Sequence, residues 1–265
     1  QLENPADNRA DVRDELRVNR WLHFDATDGH QRAIAKPCNN STVCCNIDSD
    51  TDCHPHADHT GNDTIHNTSQ HPEPPIQAQR QLAELRVIDR QPAGVPPYVR
   101  KEFGSPWSDI DRNGCNQRDD VLLRDAHKGT VKTARQGRCA HDVLAGTWTD
   151  PYTGKTLTFN DLKDLSQARA IQIDHIVPLS EAWRSGAHAW DSDRRKTFAN
   201  RLDNLLAVDG SANASKSDLD PAAWRPRKGF QCSYATRWIR VKHEWDLGAD
   251  PSEIRALGEM LDYCS

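Results

Sequence analysis

The clearest periodicity along the chain is helical and lies near its C-terminus. Trp238, Val241 and Trp245 recur at three- and four-residue steps and predict a helix over Tyr234–Trp245. Asp250-Pro251-Ser252-Glu253 reads as the start of another, with a capping Asp, Pro in the first position and Glu three residues after the cap. That helix is expected to run to Cys264. Earlier in the chain, Glu181–Trp190, Ser192–Arg201 and Ser211–Ser217 pattern as helices. Ala170–Val177 alternates into a short strand that ends at Pro178, and Leu205–Val208 is a short apolar run that predicts a second, buried strand. Asp150-Pro-Tyr-Thr-Gly154 is a turn signal. Ile76–Ile88 predicts a helix that buries Leu82 and Leu85 and is ended by Pro92, Pro96 and Pro97. Near the N-terminus, Val12, Leu16 and Trp21 suggest a short helix over Ala10–Trp21. No internal repeat is present.

The pattern fades between residues 36 and 75, a stretch rich in Asn, Asp, Thr, Ser, His and Pro. Few large apolar residues are there to build a core, so it reads as loop-rich. Glycosylation-type tripeptides at Asn39, Asn40, Asn62 and Asn67 argue for exposure. The division expected is an acidic, Cys/His-rich extension over 1–75 and a main domain over 76–265. Charge follows it: the formal net charge is −5, but residues 1–97 hold 9 basic and 15 acidic side chains and the remainder holds 25 and 24. The acidity therefore belongs to the N-terminal part; the balanced remainder leaves room for a basic groove, which composition does not demonstrate. No run of 18 apolar residues occurs, so no membrane span is expected. A start at Gln1 suggests a processed, mature chain.

Eight cysteines, an even number, point to disulfides in an oxidising compartment. Four are early, Cys38, Cys44, Cys45 and Cys53, beside His54, His56 and His59; their spacing does not fit a two-plus-two zinc site, though metal binding by the histidines stays open. Of the late four, Cys115 with Cys139 and Cys232 with Cys264 could close loops of about 25 and about 33 residues, each contributing roughly 3 kcal/mol. Connectivity cannot be read from sequence, so other pairings stay open.

Candidate chemistry begins at Ile173-Asp174-His175-Ile176-Val177-Pro178. A carboxylate and an imidazole sit together at a strand end. Asp174 offers a hard oxygen ligand suited to Mg²⁺, and His175 a base able to take a proton from water near neutral pH. Taken alone, such a pair is usually structural. Leu202-Asp203-Asn204 follows 29 residues after His175 and enters the second strand. The Asn204 amide could fix the imidazole through its second nitrogen. Asn213 and Lys216 are three apart on the next helix and share a face. Asn213 could supply a neutral metal oxygen and Lys216 could meet a phosphate. Asn213-Ala214-Ser215 is itself a glycosylation tripeptide, so activity requires Asn213 unmodified. Arg118 and Arg184, with Arg124, Arg194 and Arg195, are further phosphate candidates set against the ordinary reading of surface ion pairs. Trp183, Trp190 and Trp224 could stack on bases, but fit a core better.

Strand, loop, strand and helix, carrying Asp-His, then Asn, then Asn-x-x-Lys, resemble the ββα-metal site of HNH nucleases, including the HNH domain of the CRISPR effector nuclease. The chain is more similar still to secreted bacterial and fungal proteins related to the C-terminal nuclease domain of GmrSD restriction enzymes. The matching stretches are Asn113–Arg118, Val121–Asp125, Asp150–Gly154, Ile173–Leu179, Glu181–Ala187, Phe198–Asn200, Asn204–Val208 and Asp220-Pro221, spanning about Ile76 to Cys264. The resemblance implies an α+β fold, a ββα-metal (HNH) core embedded in a mostly helical, disulfide-stapled domain. It implies that Asp174 and Asn213 hold one divalent metal, Mg²⁺ with Mn²⁺ as the alternative, that His175 is the general base, and that Asn204 orients it. The expected protein is a secreted, extracellular, monomeric endonuclease. It would cleave DNA, with RNA as the alternative, show little sequence preference and leave 5′-phosphate ends. Two other readings compete: a nuclease toxin delivered to another cell, and a disulfide-rich binding protein that keeps an inactive HNH-like fold.

Overall fold

The computed structural model describes residues 75–264. The expected helix at Ala10–Trp21, the polar segment and Cys38, Cys44, Cys45 and Cys53 lie outside the described residues. The described part is α+β. Helix α1 (Pro75–Glu84) and a 3₁₀ turn (Arg100–Phe103) lead to α2 (Gln117–Asp125). Strands β1 (Lys132–Gln136), β2 (Cys139–Thr149) and β3 (Thr156–Phe159) form an antiparallel sheet in that order. A short helix α3 (Leu165–Ala170) runs directly into β4 (Ile171–His175), which pairs antiparallel with β5 (Leu205–Asp209). The long connection between them carries α4 (Leu179–Ser185) and α5 (Ser192–Asn200), each followed by a 3₁₀ turn. Helices α6 (Gly210–Lys216), α7 (Lys228–Glu244) and α8 (Pro251–Leu261) complete the chain.

Strands β4 and β5 lie between two hydrophobic cores, and their two-residue period divides them. Ile171, Ile173, Leu205 and Ala207 pack with Val121, Leu122, Trp148 and Phe159. Leu206 and Val208 belong to the larger core with Tyr152, Tyr234, Trp238 and Met260. Burial on both faces explains why Leu205–Val208 is a continuous apolar run. Asp174 pairs with Leu206, so its side chain belongs to the face that carries the larger core.

Most helices keep to the expected places with shifted ends. The span expected as one helix over Glu181–Trp190 breaks at Gly186, whose φ of 147° closes α4 and turns the chain into the 3₁₀ turn Ala187–Ala189. Helix α7 begins six residues before Tyr234, and α8 ends at Leu261 rather than Cys264. Asp250 caps α8 through the Ser252 and Glu253 amides, as its sequence suggests. Beneath these helices Lys242 is fully buried and donates to Glu181 (2.7 Å), to Glu253 (2.8 Å) and to the Gly248 carbonyl (2.8 Å), joining α4, α7 and α8. Burial pushes the Glu253 carboxyl up to about 7, against the downward pull of Lys242.

Both late cysteine pairs are disulfides: Cys115–Cys139 fastens the loop before α2 to β2, and Cys232–Cys264 fastens α7 to the segment after α8. The second closes a sequence separation of 32 residues. The loop-entropy relation gives it about 3–4 kcal/mol. The Cys232→Ser/Cys264→Ser variant should therefore melt roughly 6–16 °C below the oxidised wild type. An unchanged melting temperature would contradict that assignment of stability.

Candidate functional site

Asp174 and His175 stand at the end of β4, where Tyr152 and Lys216 also arrive. The Asp174 carboxylate is almost fully buried. The Tyr152 hydroxyl donates to its Oδ2 at 2.5 Å, and Lys216 Nζ lies 3.0 Å from each oxygen. Burial raises the Asp174 carboxyl above the ordinary carboxylate range, partly offset by the Lys216 charge and the Tyr152 hydrogen bond. Burial holds the Tyr152 hydroxyl well above its usual value, with the Asp174 charge adding to the effect, so Tyr152 remains a donor. Tyr152 reaches this place from the Asp150–Gly154 turn, whose closure is made by Asp150 accepting the Thr153 and Gly154 amides. An ionised carboxylate offers about four lone-pair positions, and Tyr152 and Lys216 use two in hydrogen bonds. The lone pairs that remain are hard oxygen donors of the kind that suits Mg²⁺ or Mn²⁺.

His175 leaves the strand on the other side. Its Nε2 lies 2.8 Å from the carbonyl of Ala199, on α5. A carbonyl only accepts, so Nε2 carries the hydrogen and Nδ1 carries the lone pair. The ring stacks on Trp107 with centroids 6.2 Å apart and planes 15° from parallel. Burial lowers the imidazole to about 3, with the nearby charges of Arg100 and Lys216 adding to the shift and the Ala199 bond opposing it. His175 is therefore neutral at physiological pH. Its folded value lies below the unfolded one of about 6.5, so the unfolded chain binds more protons between them. The stability His175 contributes is present above about 6.5 and is lost as pH falls toward about 3. In EDTA, the fall in urea midpoint between about pH 7 and about pH 4 should be smaller for His175→Asn than for wild type. Equal falls would show that the ring is not held neutral.

Asn204 is fully buried and acts on the main chain, not on the ring. Its Oδ1 accepts the Val177 amide (2.9 Å) and its Nδ2 donates to the Val177 carbonyl (3.2 Å). The orientation of His175 expected from Asn204 comes instead from Ala199. A two-armed amide is suited to this work because the chain reverses after β4 and leaves both polar groups of Val177 unpaired by the strand. Asn213 and Lys216 do share a face of α6, and both reach β4. Asn213 Nδ2 donates to Gln172 Oε1 (2.9 Å), while Lys216 donates to Asp174 and to the His175 carbonyl (2.8 Å). Gln172 and Asp174 are two apart on β4 and face the same way. The hydrogen bond uses the nitrogen of Asn213, which leaves Oδ1 as its metal-capable atom.

A model of the C-terminal domain of GmrSD restriction endonucleases matches residues 116–260. The chain belongs to this family. It is also 38% identical over 190 residues to an uncharacterized secreted protein of Arthroderma benhamiae, an alignment covering 71% of this chain and 84% of that protein. No solved structure matches. The span matched by the GmrSD C-terminal domain holds Tyr152, Asp174, His175, Ala199, Asn204, Asn213 and Lys216, while Trp107 precedes it.

Within this GmrSD-type domain the basic residues expected to meet phosphate have structural partners. Lys216 is fully buried on Asp174, which corrects its expected place at a phosphate. The reason is electrostatic: a carboxylate this deep needs a counter-charge, and the helix register delivers this one. Arg118 donates to the Ala168 and Ile171 carbonyls where α3 meets β4. Arg184 pairs with Glu181 and Asp218. Arg124 donates to the Leu202 and Leu205 carbonyls, and Arg195 to that of Glu102. Among the described residues, the cluster of three His or Cys ligand atoms at Cys115, Cys139 and His141 has both its sulfurs consumed by the disulfide. Sequence reasoning missed Tyr152, Trp107, Ala199 and Gln172. Only Tyr152 had a signal, its place in the turn Asp150–Gly154.

Proposed function

We propose that this chain is a secreted, metal-dependent endonuclease with a ββα-metal (HNH) site made by β4, β5 and α6. One observation carries the reading: the His175 ring is held with Nε2 on a carbonyl and Nδ1 left as a lone pair, one residue from a buried carboxylate. In this reading Nδ1 takes the proton from the attacking water. A lowered pKa keeps the base unprotonated, and the negative charge of a bound phosphodiester raises it toward the range where proton acceptance is efficient. Asp174 and Asn213 Oδ1 would hold one divalent ion, Mg²⁺ or Mn²⁺. Bound there, the ion supplies Lewis-acid stabilisation of charge on the phosphate and the leaving oxygen. Trp107 and Ala199 fix the ring, Tyr152 and Lys216 fix the carboxylate, and Asn204 fixes the turn that follows them. Family membership supports an endonuclease acting on nucleic acid. The two disulfides and the secreted relative support an extracellular setting, and no described helix is long and apolar enough to cross a membrane. The proposed substrate is DNA, with RNA as the alternative, and the products carry 5′-phosphates.

A second reading has one observation in its favour. Lys216 already neutralises Asp174, so the fold satisfies that carboxylate without an ion. This is what an inactive scaffold used for binding would show. Digestion of plasmid DNA and of RNA in Mg²⁺, Mn²⁺ and EDTA separates the two. The nuclease reading expects cleavage with Mg²⁺ or Mn²⁺, its loss in EDTA, and 5′-phosphate ends. No cleavage with either ion would favour the scaffold.

A further inference from the structure

A second group of oxygen ligands lies before α2, outside the proposed nuclease site. Asp109-Ile-Asp111-Arg-Asn113-Gly114 is followed six residues later by Asp120. Oxygen-bearing side chains at places one, three, five and twelve, with Gly at six, form the spacing by which a twelve-residue loop wraps a calcium ion. The fold has the matching local structure. Asp109, at place one, accepts the Asn113 amide on Oδ1 (3.1 Å) and the Gly114 amide on Oδ2 (3.0 Å), which curls the loop around its own first carboxylate. Gly114 has φ +91°, and a Cβ there would lie 2.7 Å from the Arg138 carbonyl oxygen, so only Gly fits. Asp120 comes from the first turn of α2, the place of a loop's exiting helix.

Spacing and loop shape alone do not make an ion site. The second observation is Asp120. This carboxyl is 9% exposed, and its Oδ2 is buried with no hydrogen-bond partner. Its Oδ1 takes Asn113 Nδ2 from the loop (3.0 Å) and His141 Nε2 from β2 (2.7 Å), so the group faces the loop. A buried carboxylate oxygen without a donor is destabilising, and a cation removes that cost. Asn113 Nδ2 also reaches Asp111 Oδ2 (3.2 Å), so one neutral amide bridges two carboxylates where a cation would bind far more strongly. Gln117, at place nine, is fully buried with neither Oε1 nor Nε2 hydrogen-bonded.

We propose that Asp109–Asp120 is a calcium-binding loop, with Asp109, Asp111, Asp120, the Asn113 amide oxygen and the Cys115 carbonyl as ligands. Rotation of the Asn113 amide turns its oxygen to the ion. The Cys115–Cys139 disulfide holds the loop on β2, so little order has to be gained on binding. The loop starts two residues after Trp107, the ring stacked on His175, so the ion would also steady one wall of the nuclease site.

The test is the melting temperature of the oxidised full chain in Ca²⁺ and in EGTA. At Ca²⁺ about a hundredfold above Kd, wild type should gain about 5–11 °C. Asp111→Asn relieves crowding among carboxylates, so in EGTA it should melt no lower than wild type, and it should lose the Ca²⁺ gain. Asn213→Ala, on α6, should keep the gain. Should Asp111→Asn melt lower in EGTA, Tb³⁺ luminescence sensitised by the tryptophans, read where both proteins are folded, decides. Emission from wild type and none from Asp111→Asn supports the loop; equal emission overturns it. The proposal also falls if wild type gains nothing from Ca²⁺, if Asp111→Asn gains as much as wild type, or if Asn213→Ala loses the gain. None of these outcomes depends on nuclease activity, so the loop and the nuclease reading can fail separately.

Discussion

His175→Ala should lower the rate of DNA cleavage by about 10²–10⁴-fold, the usual contribution of a positioned general base. The protein should stay folded, because the ring sits at the end of β4 and its removal breaks one hydrogen bond, to Ala199, and one ring contact, with Trp107. Near-UV circular dichroism and the urea midpoint check the fold, and single-turnover cleavage in Mg²⁺ checks the rate. The free lone pair on Nδ1 explains the size of the effect, since no other imidazole nitrogen or carboxylate in the site is placed to replace it. Asp174 is tied to Tyr152 and Lys216. If His175→Ala digests DNA like wild type, another group is the base and the assignment fails.

Lys216→Met should destabilise the fold by about 3–5 kcal/mol, the usual result of leaving a buried charge without its partner. Methionine fills much of the same volume, so the loss is electrostatic and not a cavity. Lys216 is fully buried and Asp174 nearly so, and the lysine also donates to the His175 carbonyl. Burial lowers the Lys216 ammonium and raises the Asp174 carboxyl, so each ion is held charged by the other against the cost of desolvation. Without Lys216 the carboxyl value rises further. The deficit of the variant should therefore shrink as pH falls through that raised value, where Asp174 is protonated. Adding Asp174→Asn should recover part of the loss. Urea unfolding of the two single variants and the double variant measures this coupling. A Lys216→Met variant as stable as wild type at neutral pH would mean that the pair is not buried as described.

Much of the element order was legible because local pattern and tertiary burial agree there. Asp250-Pro251-Ser252-Glu253 starts a helix on local grounds alone, and α8 begins at Pro251. Leu205–Val208 reads as a strand because both of its faces meet a core. The sheet β1–β3 was not legible. All five residues of β1 are exposed, and β2 alternates only in part, so neither carries the apolar rhythm that marks a strand. Its pairing comes from long-range registers such as Gly146 with Phe159. For the site, residue types and spacing pointed to Asp174, His175, Asn204 and Asn213, but not to what each touches. The work expected of Asn204 falls to a carbonyl on α5, and main-chain carbonyls carry no sequence signature. Lys216 was expected at a phosphate because it follows Asn213 by three. That spacing gives the shared face correctly, but only depth in the fold says that the face points at Asp174. The late disulfides were open in sequence, and the fold pairs Cys115 with Cys139 and Cys232 with Cys264.

The central claim is that Asp174 and Asn213 share one divalent ion beside His175. Anomalous diffraction from crystals of His175→Ala grown with Mn²⁺ and a short DNA duplex tests it most directly. The account predicts a Mn²⁺ peak bound to an Asp174 carboxylate oxygen and to Asn213 Oδ1, in contact with a phosphate of the duplex. A duplex bound with no Mn²⁺ between those two side chains, while wild type cleaves the same DNA in Mn²⁺, would contradict it.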